Sequence, residues 1–272
     1  MKNADEIKYE KLKHIIASYG SLAVGFSGGV DSTFLLSVAH DVLKEKAVAV
    51  SCSSVFVPKR EIDEAERFCR ERDIKHHIFE FDPLSISECR FNAPERCYVC
   101  KHAIFSQIMK IAKEYGIDHV AEGSNVDDMS DYRPGMRAVS ELSIKSPLRE
   151  ADLDKATIRH LSQKMNLPTW SKPSYACLAS RFVYGEEITK EKLDMVDRAE
   201  QFLIENGFEN ERVRIHGNTA RIEVLPEDIV KIASDGIRQS VYEELKKIGF
   251  MFVTLDLKGY ATGSMNSTID RL

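Results

Sequence analysis

Short apolar runs alternate along the chain with stretches in which apolar residues recur every three or four positions. That alternation predicts strands and helices in turn. Residues 5–19 place Leu12, Ile15 and Ile16 on one side of a leading amphipathic helix. Leu22, Ala23, Val24 and Phe26 read as a buried strand, and Val30, Phe34, Leu35, Val38 and Val42 as the inner face of the helix that follows. Strands are expected at 47–51, 77–81 and 118–121, with helices opening at Pro58 (inner face Ile62, Ala65, Phe68 and Cys69) and spanning 103–115. Strands separated by helices predict a doubly wound parallel sheet of the α/β class with right-handed crossovers. Ligands of such sheets sit at the carboxyl ends of the strands. The segment around Ser27, the Cys52-Ser53-Ser54 strand end and the loop at Gly123 then surround one crevice.

A further helix is expected at 154–165, after which Pro168 and Pro173 break the pattern. The boundary falls there, giving domains of 1–170 and 171–272. The second opens with a helix over 186–206 that carries Leu193, Val196, Glu200 and Leu203 on one stripe. A carboxylate among apolar neighbours costs free energy unless something pairs with it; the other reading is a helix edge from which Glu200 reaches water. Residues 212–216 and 219–225 alternate around Gly217-Asn218, a two-residue hairpin signal. That register sets Arg214 opposite Arg221 and Arg212 opposite Glu223. An anion over Arg212, Arg214 and Arg221 would offset the repulsion of like charges, although a solvated charged face fits the spacing equally. Helices at 226–233 and 237–248, a strand at 250–257 and a loose tail from Lys258 complete a small α+β unit.

Composition changes this picture little. The 272 residues carry a net charge of −5, which disfavours a general nucleic-acid binder. No apolar run reaches the length of about 18 residues that a membrane span needs. Six cysteines in a chain this long do not form a disulfide scaffold and read as cytoplasmic thiols.

Candidate chemistry begins at Gly25-Phe26-Ser27-Gly28-Gly29-Val30-Asp31-Ser32. The glycines let backbone amides approach a ligand, and the helix start beyond them favours an anion. No Walker-type lysine is present, and Asp31 suits Mg²⁺ better than a bare phosphate. The stretch resembles the pyrophosphatase loop, S-G-G-x-D-S, of the ATP pyrophosphatases, whose fold is adenine nucleotide alpha hydrolase-like. The polar loop from Gly123 through Asp128 to Arg133 is similar to the ATP and substrate side of that superfamily; a solvated turn is the plainer reading. Cys97-Tyr98-Val99-Cys100, placed before a helix, is open to redox, zinc or iron–sulfur chemistry. Cys177 offers a third sulfur, whereas Cys52, Cys69 and Cys89 read as small hydrophobes.

Taken together, S-G-G-V-D-S, E-R-C-Y-V-C-K, G-S-N-V-D-D, Y-R-P-G-M-R-A and P-S-Y-A-C-L-A-S-R resemble the LarE family over most of the chain. The resemblance implies a sulfurtransferase that makes the precursor of the nickel-pincer nucleotide cofactor of lactate racemase-type enzymes. Its substrate is the nucleotide-like pyridinium-3,5-biscarboxylic acid mononucleotide. ATP with Mg²⁺ adenylates a carboxylate, pyrophosphate leaves and sulfur displaces AMP. It further implies ATP binding by Ser27, Gly28, Gly29, Asp31, Ser32, Ser53 and Gly123, and substrate binding by Arg133, Ser180, Arg181, Glu200, Arg212, Arg214 and Glu223. Cys177 matches the sulfur-bearing cysteine. With Cys97 and Cys100 it resembles the members that hold a 4Fe–4S cluster, so the sulfur comes from the cluster or from Cys177 itself. The external sulfur donor is left unnamed. A homo-oligomer, a hexamer in the family, and no nucleic-acid or membrane partner are expected. Rival readings are a tRNA thiolase, an amidating ligase of the NAD-synthetase type and a non-enzymatic ATP-binding regulator.

Overall fold

The computed structural model describes residues 4–130, 135–173 and 175–261. In chain order the first elements are α1 (Ala4–Tyr19), β1 (Leu22–Gly25), α2 (Val30–Leu43), β2 (Ala47–Ser53), α3 (Lys59–Glu71), β3 (Lys75–Glu80) and α4 (Ser87–Arg90). They are followed by α5 (Arg96–Glu114), β4 (Val120–Ala121), α6 (Gly135–Glu141), α7 (Pro147–Glu150) and α8 (Lys155–Lys164). The remainder comprises α9 (Lys190–Glu205), β5 (Arg212–His216), β6 (Thr219–Glu223), α10 (Ile229–Ala233), α11 (Asp235–Ile248) and β7 (Phe252–Leu255). Two compact units result. One combines Met1–Phe81 with Cys97–Tyr175; the other combines Asp82–Arg96 with Ala176–Leu272.

In the first unit the sheet runs β3-β2-β1-β4, and every pairing is parallel. Alternate residues of each strand serve opposite faces. Leu22 and Val24 join Leu12, Ile16, Phe34 and Leu161 in one core, while Ala23, Val48 and Val50 join Phe105, Ile108 and Ile111 in the other. A parallel sheet covered on both faces is the doubly wound arrangement that the alternation predicts. The carboxyl ends of β1, β2 and β4 lead into the segments at Ser27, Ser54 and Glu122.

The second unit has the order β5-β6-β7, with an antiparallel hairpin and a parallel partner. Its register pairs Arg212 with Glu223 and Arg214 with Arg221, as the two-residue turn requires. Helix α9 starts at a Thr189 cap, whose hydroxyl accepts from the Lys192 amide at 3.3 Å.

Two elements depart from expectation. Helix α5 begins at Arg96, not at 103, so the C-x-x-C lies within the helix and not before it. The chain also does not loosen at Lys258: the Tyr260 amide donates to the Val224 carbonyl at 2.7 Å, and the Arg212 guanidinium lies 4.8 Å from the Tyr260 ring centre. Among the described residues no helix is long and apolar enough to cross a membrane.

Candidate functional site

The loop between β1 and α2 is shaped by its backbone. Gly28 has φ +70°, a conformation that costs an L side chain roughly 1–2 kcal/mol. Gly29 caps α2 in an extended conformation with no side-chain cap. The first amides of α2 therefore have no helical acceptor and carry the positive end of the dipole. Ser27 Oγ and Ser32 Oγ share a hydrogen bond at 3.0 Å, and Ser32 Oγ donates to the Gly29 carbonyl at 3.2 Å. A Cβ on Gly28 would meet only ordinary contacts, Ala65 Cβ and the Glu61 carbonyl at 3.5 Å. Gly28→Ala is thus expected to cost about 1–2 kcal/mol through backbone strain alone. Urea unfolding tests this, and an unchanged midpoint would refute the left-handed turn.

Around the loop stand groups from distant sequence. A Cβ on Gly123 would lie 3.0 Å from the Ser32 amide, so that loop touches the helix start with bare backbone. Asp31 forms an ion pair with Lys155 and accepts from Asn125 Nδ2 at 3.4 Å. Asp127 Oδ2 accepts from the Lys155 amide at 2.9 Å, tying the 123–128 loop to α8. Lys172 Nζ donates to Glu61 and Glu64 at 2.7 and 2.8 Å and reaches the Gly28 carbonyl at 3.4 Å. Ser53 ends β2, half-buried and in register with Glu80. Ser51 Oγ donates to the Phe26 carbonyl at 2.7 Å and meets His76 Nε2 at 2.7 Å. Burial pushes His76 down to about 4, so its ring is neutral.

Near the C-x-x-C, Glu122 is buried and accepts from Ser124 Oγ at 2.7 Å, Ser146 Oγ at 2.8 Å and Lys101 Nζ at 3.3 Å. Cys97 is exposed and Cys100 half-buried, one turn apart on α5 and thus on one face. Cys177, exposed, precedes the short 3-10 turn Leu178–Arg181 of the other unit. Among the described residues no group of three or more His, Cys, Asp and Glu side chains is placed to hold a metal ion. The C-x-x-C pair alone offers two donors, short of a cluster's set. Burial pushes the thiols of Cys52 and Cys69 up to about 12, as for small hydrophobes.

In the second unit a charged network is built into the interior. Arg181 grips Glu200 with two bonds, Nε to Oε1 at 2.8 Å and Nη2 to Oε2 at 2.9 Å. Its Nη1 donates to the Ala176 and Cys177 carbonyls at 2.8 and 3.2 Å and to Ser180 Oγ at 2.8 Å. Both ends of the pair are essentially without solvent exposure, at 1% and 0%. Glu200 is therefore a paired core carboxylate and does not reach water. Burial alone would raise its carboxyl, but Arg181, Arg212 and the Val213 amide hold it below the usual range.

Arg214 donates to Glu223 Oε2 through Nε and Nη2 at 3.1 and 2.9 Å, and through Nη1 to the Ser180 carbonyl at 3.0 Å. Arg221 donates to Glu223 Oε1 at 2.9 Å. Glu223 thus bridges the opposed arginines, and their repulsion needs no bound anion to offset it. Arg212 is buried, with Nη1 on the Glu211 carbonyl at 2.5 Å.

Arg133 lies outside the described residues. Lys155, Lys172 and Glu211 were not singled out by the sequence: the two lysines act through partners far along the chain, and the enclosure of Glu211 arises from packing, neither of which a local motif marks.

Sequence comparison matches residues 7–96 to the NAD synthase family. An uncharacterised protein of Synechocystis is 38% identical over 98% of this chain and 99% of its own length. Pyridinium-3,5-bisthiocarboxylic acid mononucleotide synthase of Lactiplantibacillus plantarum is 36% identical over 92% of this chain and 90% of its own. The tRNA-specific 2-thiouridylase MnmA of Rhizobium leguminosarum is 25% identical over 63% of this chain and 54% of its own. With a parallel α/β sheet, a glycine-turned loop between β1 and α2 and near full-length similarity to that synthase, the chain belongs to the LarE family.

Proposed function

We propose that this chain is an ATP-dependent sulfurtransferase that converts a carboxylate of pyridinium-3,5-biscarboxylic acid mononucleotide into a thiocarboxylate. What carries the reading is Cys177, exposed at the surface while its carbonyl is held by the buried Arg181. A carboxylate is a poor electrophile; transfer of AMP to its oxygen turns that oxygen into a leaving group, and pyrophosphate departs. Ser27, Gly28, Gly29 and Ser32 hold the polyphosphate through the amides of the loop, with Ser53 and Gly123 bordering the nucleotide. Asp31 supplies a hard oxygen donor to Mg²⁺, which stabilises developing charge. Arg212 and Arg214 supply the positive charge that attracts the phosphate ester, with the Arg214 fork held on Glu223. Ser180 and Arg181 position them together with Glu200 and Glu223, and Arg133 belongs to the same substrate set.

By the family resemblance Cys97, Cys100 and Cys177 are the ligands of a 4Fe–4S cluster that would supply a labile sulfide, although among the described residues no three such side chains are grouped to hold it. The alternative source is the Cys177 sulfur itself. We place the enzyme in the cytoplasm as a homo-oligomer, working on a small nucleotide and on no nucleic acid.

The test is to incubate anaerobically purified protein with ATP, Mg²⁺ and the mononucleotide. Pyrophosphate and a thiocarboxylate product should appear together, and substrate-independent or absent pyrophosphate release would sink the proposal. Iron and sulfide analysis, with intact mass before and after turnover, separates the two sulfur sources. Loss of about one H₂S in mass marks Cys177 as sacrificed.

A further inference from the structure

Glu211 is a buried carboxylate of the arginine cluster that the reaction above leaves unused. It precedes β5 and has 0% exposure. Neither of its carboxylate oxygens has a hydrogen-bond partner among the described residues. The charged groups facing it are Glu200 on α9, Arg181 of the turn Leu178–Arg181 and its own neighbour Arg212. Arg181 already spends two bonds on Glu200, whose Oε1 also accepts from the Val213 amide at 3.0 Å.

An ionised carboxylate in such a place is favoured only by its own backbone amide and by the charges of Arg212 and Arg181, and enclosure together with the negative Glu200 outweighs them. The neutral acid is the form this pocket tolerates. Burial, reinforced by Glu200, pushes Glu211 up to about 8.

We propose that Glu211 is a proton-carrying switch on the anion site: neutral, it permits a phosphate monoester to bind at Arg212, and ionised, it opposes that binding. This inference rests on the phosphate role proposed above for Arg212 and Arg214. A second negative charge beside Arg212 weakens its attraction for an anion, whatever else the guanidinium touches. Linkage makes the effect reciprocal, so the bound phosphate also favours the proton on Glu211. The phosphate ester is already doubly charged above a pH of about 6, so its own titration cannot weaken binding in the alkaline range.

The experiment is calorimetric titration of the full chain with the mononucleotide between pH 7 and 9. The dissociation constant of the wild type should rise roughly tenfold over that interval, and that of Glu211→Gln should stay flat. Equal pH slopes in the two proteins, or a flat wild type, overturn the switch. Absence of binding at every pH overturns the phosphate reading and the switch with it. If the Gln variant does not fold, proton uptake by the wild type at pH 8, read in two buffers of different ionisation enthalpy, decides the matter. Uptake of a fraction of a proton on binding supports the switch, and none refutes it.

Discussion

Glu200→Ala is expected to destabilise the protein by about 3–5 kcal/mol. The cost is not that of a missing contact. It arises because Arg181 stays behind, with 1% exposure, in an interior that cannot hydrate it. The Val213 amide loses its acceptor as well. Since Glu200 is held below the usual carboxylate range when folded, its contribution is complete above that range and fades as the pH falls. Urea unfolding at pH 7 reads the effect directly, and a loss under about 1 kcal/mol would show that the pair is better hydrated than its burial implies. Replacing both partners with apolar residues should cost less than removing Glu200 alone, because no buried charge is then stranded.

Cys177→Ser should behave in the opposite way, abolishing the product while barely touching the fold. Cys177 is exposed, so the substitution is expected to change stability within about 0.5 kcal/mol. Serine keeps the local shape but has no sulfur to give and is a poor metal ligand. On the proposed reaction, thiocarboxylate formation falls to background while substrate-dependent pyrophosphate release continues. Sustained thiocarboxylate formation by the Ser variant would remove Cys177 from the chemistry. Loss of pyrophosphate release as well would place the residue in the adenylation step instead.

Where a pattern is local, the sequence carried it clearly. Gly217-Asn218 fixes a two-residue turn, so the pairing of Arg214 with Arg221 could be read before any fold was known. The continuous apolar run of Leu22 to Val24 likewise announced a buried strand, which the structure covers on both faces. The start of α5 was less legible, because Tyr98 and Val99 favour strands and the residues before Ala103 show no apolar stripe. Glu200 was ambiguous because its partner, Arg181, sits on a separate element. Glu211 gave no signal at all: a glutamate ahead of a strand looks like a solvated turn, and only packing reveals that it is enclosed. Lys172 shows the same limit. Its proline-flanked segment read as a linker, yet the side chain closes on Glu61, Glu64 and the Gly28 carbonyl.

The grouping of Asp82–Arg96 with Ala176–Leu272 bears on how the protein is made. Asn92 Nδ2 donates to the carbonyls of Phe182 and Val183 at 2.9 and 2.8 Å, and the Ile188 amide donates to the Arg90 carbonyl at 2.7 Å. During synthesis this early segment must wait, its acceptors and donors unmet, until the far end of the polypeptide leaves the ribosome. A C-terminal fragment expressed alone would emerge without it, whereas supplying 82–96 as a separate peptide should restore what the cut removed.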